Sequence, residues 1–142
     1  MTDDSNDTDP SASTFSAGVE TFTITNLTRS LTHTITPASG GLTVNASDVY
    51  DVDPAAASQS IAVLPGQSHV EGQANLAAAV TGAASNQVAG TGFTANIRAV
   101  DSFFNLTADS STAVSVTTDD TNDTDPVAGT FASGQANFTV DN

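Results

Sequence analysis

Gly92–Asp101 reads GFTANIRAVD, and the order of its side chains decides the fold class. Phe93, Ala95, Ile97 and Ala99 alternate with Thr94, Asn96 and Arg98. Successive side chains of a strand point to opposite faces, so a period of two predicts a strand with one buried and one wet face. The same pattern extends outward. Leu31, His33 and Ile35 alternate with Thr32, Thr34 and Thr36, and Ala136, Phe138 and Val140 with Asn137 and Thr139. Phe22 and Ile24 stand between threonines, and Val114 and Val116 between small polar residues. Threonine suits the exposed positions because its branched Cβ fits the pleat.

Strands are therefore expected within Glu20–Asn26, Ser30–Ser39, Leu42–Val52, Leu76–Gly82, Gly92–Asp101, Ala113–Asp120 and Gly134–Val140. Gly, Pro, Asn and Asp mark turns at Asn6–Pro10, Pro37–Gly41, Asp51–Pro54, Pro65–Gly66, Gly90–Gly92, Asp101–Asn105 and Asp119–Pro126. Gln73–Thr81 is alanine-rich but short and reads as uncapped, so it is taken as strand or linker, with a helix as the alternative. Short alternating strands with regular turns predict an all-β chain, an antiparallel β-sandwich.

The two ends repeat one another. Thr2–Asn26 reads TDDSNDTDPSASTFSAGVETFTITN and Thr118–Asn142 reads TDDTNDTDPVAGTFASGQANFTVDN, with 15 of the 25 aligned positions identical at an offset of 116 residues. One sandwich domain of about 100 residues fits that period. On this reading residues 1–55 are the later half of one repeat. Residues 56–142 are a linker and the first part of the next, and each half lacks strands that a complete sandwich needs.

Composition narrows the function. The formal charge is −14, with 2 Lys and Arg residues (Arg29 and Arg98) against 16 Asp and Glu. Nucleic acid needs a basic surface, so it is excluded as a partner, as is an anionic membrane surface. The acidity fits plain solubility, a high-salt setting or divalent-cation binding. With 0 Cys there is no disulfide, thiolate zinc site or thiol nucleophile. No apolar run approaches the length of a transmembrane helix. No N-terminal leader is visible, which says nothing of secretion if the segment is internal to a longer protein.

Val88–Asn105, VAGTGFTANIRAVDSFFN, resembles the bacterial immunoglobulin-like repeats of giant cell-surface proteins, which commonly carry AGT, then a strand, AVD and a following Asn. SVTTDDTNDTDP, TFASGQANFTV and LTHTITPASGG match the same repeat in order, and VLPGQ (Val63–Gln67) resembles the linker before the next copy. The resemblance implies a secreted, tandemly repeated immunoglobulin-like sandwich of Greek-key type, in an adhesin, stalk, sheath or filament. The long acidic loop at Asp119–Pro126 departs from the usual pattern.

That loop supplies the first candidate site. Asp119, Asp120, Asn122, Asp123 and Asp125 lie within seven residues, and Asp3, Asp4, Asn6, Asp7 and Asp9 duplicate them. The run is similar to the Ca²⁺-binding linker of cadherins, although it lacks the Gly and final Glu of an EF-hand loop. If strands alternate in direction, Asp51 and Asp53 meet Asp101 and the acidic loop across a domain junction. Ca²⁺ there would relieve carboxylate repulsion and stiffen the array. The competing expectation is a solvated Asp- and Asn-rich turn.

Asn6, Asn26, Asn45, Asn105, Asn122 and Asn137 each begin an N-x-S/T sequon and are glycosylation candidates. His33 reads as a core residue on a strand face and His69 as a loop residue. Neither has a nucleophile and orienting acid beside it in sequence, and the carboxylates gather in turns, so no enzyme is expected. Phe103–Phe104 could be a binding tip or could plug the core. The expected function is an extracellular structural module whose partners are neighbouring copies of the same repeat. The alternatives are a filament subunit assembling by strand donation, and a glycan- or receptor-binding module.

Overall fold

The computed structural model of the protein describes residues 1–141. In chain order they form β1 (Ser30–His33), β2 (Tyr50–Val52), β3 (Gln59–Val63), β4 (Ser68–His69), α1 (Leu76–Ala79), β5 (Val80–Thr81), β6 (Phe93–Val100), β7 (Ala113–Val114), β8 (Gly129–Thr130) and β9 (Gln135–Val140). The described residues are mostly β; among them every strand pair is antiparallel, and the one helix is a single turn. It divides into two units, Met1–Asp53 and Pro54–Asn142.

In the second unit β6 lies between β3 and β9. Its register with β3 runs from Gln59 opposite Val100 to Val63 opposite Asn96. With β9 it runs from Phe93 opposite Val140 to Arg98 opposite Gln135. The alternation in GFTANIRAVD is realised: Ala95, Ile97 and Ala99 are buried, joined by Phe131, Phe138 and Val140 in one apolar cluster. Ile61, Val63, Ala79, Val100 and Phe104 form a second cluster. Burying such side chains contributes about 1.5 to 3 kcal/mol each for the larger ones. On the opposite face Asn96 Nδ2 donates to Asn137 Oδ1 across the strands at 2.7 Å.

Three local expectations are corrected. β3 stands where a linker is expected, although Ile61 and Val63 alternate with Ser60 and Ala62 and both are buried. Within Gln73–Thr81 a helical turn precedes β5, and it is capped: Asn75 Oδ1 accepts from the Ala78 amide at 3.0 Å. His69 lies on β4, not in a loop.

The first unit has only the two-stranded pair β1–β2. Its register shifts between Ser30 and His33. A bulge breaks the period of two, so His33 is buried while Leu31, expected on the same face, is 70% exposed. Asp4 and His33 are the only buried residues from Met1 to Asp53. The centre of this unit is therefore polar, and both apolar clusters belong to the second unit.

The aligned ends share one hairpin turn and then part. Ser16 and Val19 exchange backbone hydrogen bonds of 3.0 and 3.1 Å, and Ala132 and Gln135 exchange bonds of 2.8 and 3.1 Å. Both central residues have positive φ in each turn: Ala17 and Gly18 (52° and 80°), Ser133 and Gly134 (50° and 75°). That is the hairpin turn whose twist matches paired strands. Gln135–Val140 continues as β9 along β6, whereas its counterpart Val19–Ile24 forms no strand. The expected strand in Glu20–Asn26 is absent because no counterpart of β6 precedes it within these residues, and backbone groups without a partner strand remain with water.

A Cβ on Gly134 would fall 2.1 Å from the Thr107 carbonyl oxygen, whereas one on Gly18 meets nothing within 4 Å. Gly134→Ala is expected to destabilise the second unit by about 2 to 4 kcal/mol through strain plus clash. Gly18→Ala should cost about 1 kcal/mol through φ alone. Chemical denaturation of the two variants checks the difference.

Candidate functional site

The duplicated acidic segments fold the same way twice. In the first, the Thr2 amide donates to Asp9 Oδ1 at 2.8 Å, Thr2 Oγ1 donates to Asp7 Oδ2 at 2.7 Å, and the Asn6 amide donates to Asp4 Oδ1 at 3.0 Å. In the second, the Thr118 amide donates to Asp125 Oδ1 at 2.9 Å, Thr118 Oγ1 donates to Asp123 Oδ2, and the Asn122 amide donates to Asp120 Oδ1 at 2.8 Å. Each pair of partners recurs at the 116-residue offset. The Thr and alternate carboxylates thus serve first to close a turn on its own backbone, which short acidic side chains do well.

The first copy also binds another part of its unit. Asp4 Oδ2 accepts from the amides of Leu27 and Thr28 at 2.7 and 2.8 Å, and Asp4 Oδ1 accepts from Thr28 Oγ1 at 2.8 Å. Asn6 Nδ2 donates to Thr28 Oγ1 at 2.8 Å. His33 Nδ1 meets Asp3 Oδ1 at 2.7 Å, and His33 Nε2 meets the Thr28 carbonyl at 2.8 Å. Both partners of the ring are acceptors, and a neutral imidazole donates from one nitrogen only, so both bonds require the imidazolium. Tyr50 lies 6.0 Å from the His33 ring and donates its hydroxyl to Asn26 Oδ1 at 2.9 Å. His33 is buried as expected, but as half of an ion pair and not as an apolar core residue.

Charge balance follows from these contacts. Burial alone would lower the His33 pKa; the Thr28 carbonyl, the Asp3 hydrogen bond and the nearby Asp3 and Asp4 charges outweigh it, and the net shift is upward. The His33 bond leads in lowering the Asp3 pKa. Burial would raise that of Asp4, but donors from Thr28, Asn6 and Leu27 bring it below the usual value.

Asp101 plays a different part. It is 2% exposed, and Oδ1 accepts from the amides of Phe103 and Asn105, both at 2.9 Å. Oδ2 accepts from the Ala55 amide and from Asn105 Nδ2, both at 3.0 Å. The carboxylate thus braces the turn that follows β6. Phe104, at φ 59°, is buried in the second apolar cluster, and Phe103 is 38% exposed, so one ring of the pair serves the core.

The remaining site residues are distributed as follows. Asp51 and Asp53 are exposed in the first unit. Asp119, Asp120, Asn122 and Asp125 are exposed in the second, and Asp123 is half-buried. Among the described residues no three His, Asp or Glu side chains gather closely enough to hold a metal ion. Of the sequon asparagines, Asn45, Asn122 and Asn137 are exposed, Asn6 and Asn26 are half-buried, and Asn105 is buried against Asp101. His69 Nε2 bonds the Phe104 carbonyl at 2.8 Å, and Arg98 meets its Nδ1 at 3.0 Å. Both histidines thus spend their ring nitrogens on holding the fold.

Compared with protein-family models, curated proteins and solved structures, the chain matches none. No helix among the described residues is long and apolar enough to cross a membrane.

The Asp4 contacts escaped the sequence because they join residues 23 and 24 positions apart, and His33 is 30 positions from Asp3. The duplicated acidic segment is the available signal, but in sequence it reads as a cation loop or a solvated turn, and neither names the distant segment that Asp4 binds. Asp4→Ala leaves two amides without an acceptor and is expected to cost the first unit about 2 to 4 kcal/mol. Urea denaturation followed by Tyr50 fluorescence measures that loss.

The ion pair also sets a pH window. His33, with its raised pKa, stabilises fully below the ordinary value of 6.5 and loses that contribution as pH rises through its folded value. Asp3, with its lowered pKa, stabilises above 3.8 and loses its contribution as pH falls through its folded value. The first unit should be most stable between 3.8 and 6.5, and His33→Gln should flatten the alkaline limb in pH-dependent melting.

Proposed function

We propose that this chain is a structural module of an extracellular fibre, stalk, sheath or adhesin-type surface protein. Its repeats, on this reading, are immunoglobulin-like sandwiches joined in tandem. One observation carries it: the same turn and an acidic loop closed by the same three bonds recur at an offset of 116 residues. Within one chain that offset is about the length of a sandwich domain. The all-β antiparallel architecture agrees with it. The mechanism is mechanical. Each module holds its neighbours at a fixed spacing, and stability is the sum of burial within modules and contacts between them. Glycans on the exposed sequons would coat such a fibre.

The Phe104 ring is spent on the core, which supports a spacer over an aromatic binding tip. The acidic surface keeps neighbouring fibres apart by charge repulsion.

The denatured mass of the protein from its native source tests the reading. A mass many times 14.2 kDa is expected for a covalent array. A mass near 14.2 kDa replaces the array with a filament of separate subunits. The Ca²⁺ component rests on the acidic loops alone: a complete repeat should melt at higher temperature in Ca²⁺ than in chelator, and an unchanged midpoint removes the ion from the mechanism.

A further inference from the structure

The acidic loop Thr118–Pro126 repeats three internal bonds of Thr2–Pro10, yet its two leading carboxylates have different surroundings. Asp4 is buried, and Asp3 and Asp4 together bind Leu27, Thr28 and His33. Their counterparts Asp119 and Asp120 are exposed. Among the described residues Asp119 accepts no hydrogen bond, and Asp120 accepts only from the backbone and side chain of Asn122. Counted at the same interval from the second loop, the segment that Asp4 binds would fall beyond Asn142, so nothing within these residues fills the corresponding place.

The first copy is thus a template for what the second can hold. The loop's own bonds fix its backbone in both cases, so the carboxylates are preorganised before any ligand arrives. In the first copy they receive two consecutive amides, a threonine hydroxyl and an imidazolium. The hairpin turn after the acidic loop, Ala132–Gln135, matches the first copy as well, so the correspondence extends beyond the loop itself.

We propose that Asp119 and Asp120 form a docking site for the counterpart of the Leu27–His33 segment 116 residues further along the array, in the later half of the same repeat. Asp120 accepts from the Leu and Thr amides and the Thr hydroxyl, and Asp119 pairs with the imidazolium. This rests on the tandem reading above and specifies the contact that completes each successive module. It makes the acidic segment a clasp, closed in the first unit and open in the second.

The test extends the full chain in phase with a second copy of residues 27–142, so that Asn142 runs directly into the copy of Leu27. Hydrogen exchange is followed at the junction copies of Leu27 and Thr28. Their amides should exchange roughly 10-fold or more slowly than in an Asp120→Ala variant of the first chain. The amides of β6 and β9 report that the rest of the chain remains folded. Asp4→Ala in the single chain gives the reference loss for the closed clasp. As a second readout, the junction copy of His33 should titrate above the ordinary value near 6.5, and Asp119→Asn should return it towards that value. Junction amides that exchange as unstructured chain, or a His33 copy that titrates independently of Asp119, overturns the proposal. So does protection that appears only when Ca²⁺ is added. None of these results depends on the native mass, so the docking and the array can fail separately.

Discussion

Backbone pairing with β6 is the constraint on which the second unit depends. Among the described residues β6 is the one strand with neighbours on both sides, and each apolar cluster of the second unit draws on its residues. Ala95, Ile97 and Ala99 face one cluster, and Val100 joins the other. The comparison of Gln135–Val140 with Val19–Ile24 isolates the effect. The two segments share the motif Phe-Thr followed by a β-branched residue and the same preceding turn. Only the one beside β6 becomes a strand. Local preference starts the hairpin, and a neighbour finishes it.

The same logic separates what could be read in the sequence from what could not. Ala95 to Ala99 and Phe138 to Val140 were legible because their burial follows a strict period of two within one segment. Asp101 and Asn105 were legible as a turn, and the structure adds the reason for their pairing: a buried carboxylate that collects the turn's amides and the Asn side chain. Leu31 was misread because a bulge shifts the register inside β1. β3 was overlooked because a five-residue strand next to Pro65–Gly66 resembles a linker. The Asp4–Thr28 and Asp3–His33 contacts had no local signature at all. They depend on two distant segments meeting, which no periodicity encodes.

The acidic residues divide into roles that composition alone merges. Asp101 braces a turn from within. Asp7, Asp9, Asp123 and Asp125 close loops on the Thr that lies five or seven positions before them. Asp3 and Asp4 hold a second segment of chain. A net charge of −14 therefore conceals carboxylates whose main ligands are amide hydrogens. Such bonds are stronger than those between neutral groups, and they make an Asp-rich, Lys-free sequence workable as a folded protein.

The polar centre of the first unit has a thermal consequence. The heat capacity change of unfolding comes chiefly from apolar surface newly exposed to water. The second unit buries two hydrocarbon clusters, whereas the first buries a carboxylate and an imidazole ring. Per residue, the first unit should therefore have the flatter free-energy curve against temperature. Cooling would weaken its cohesion less than it weakens a hydrocarbon core, whose driving force fades in the cold.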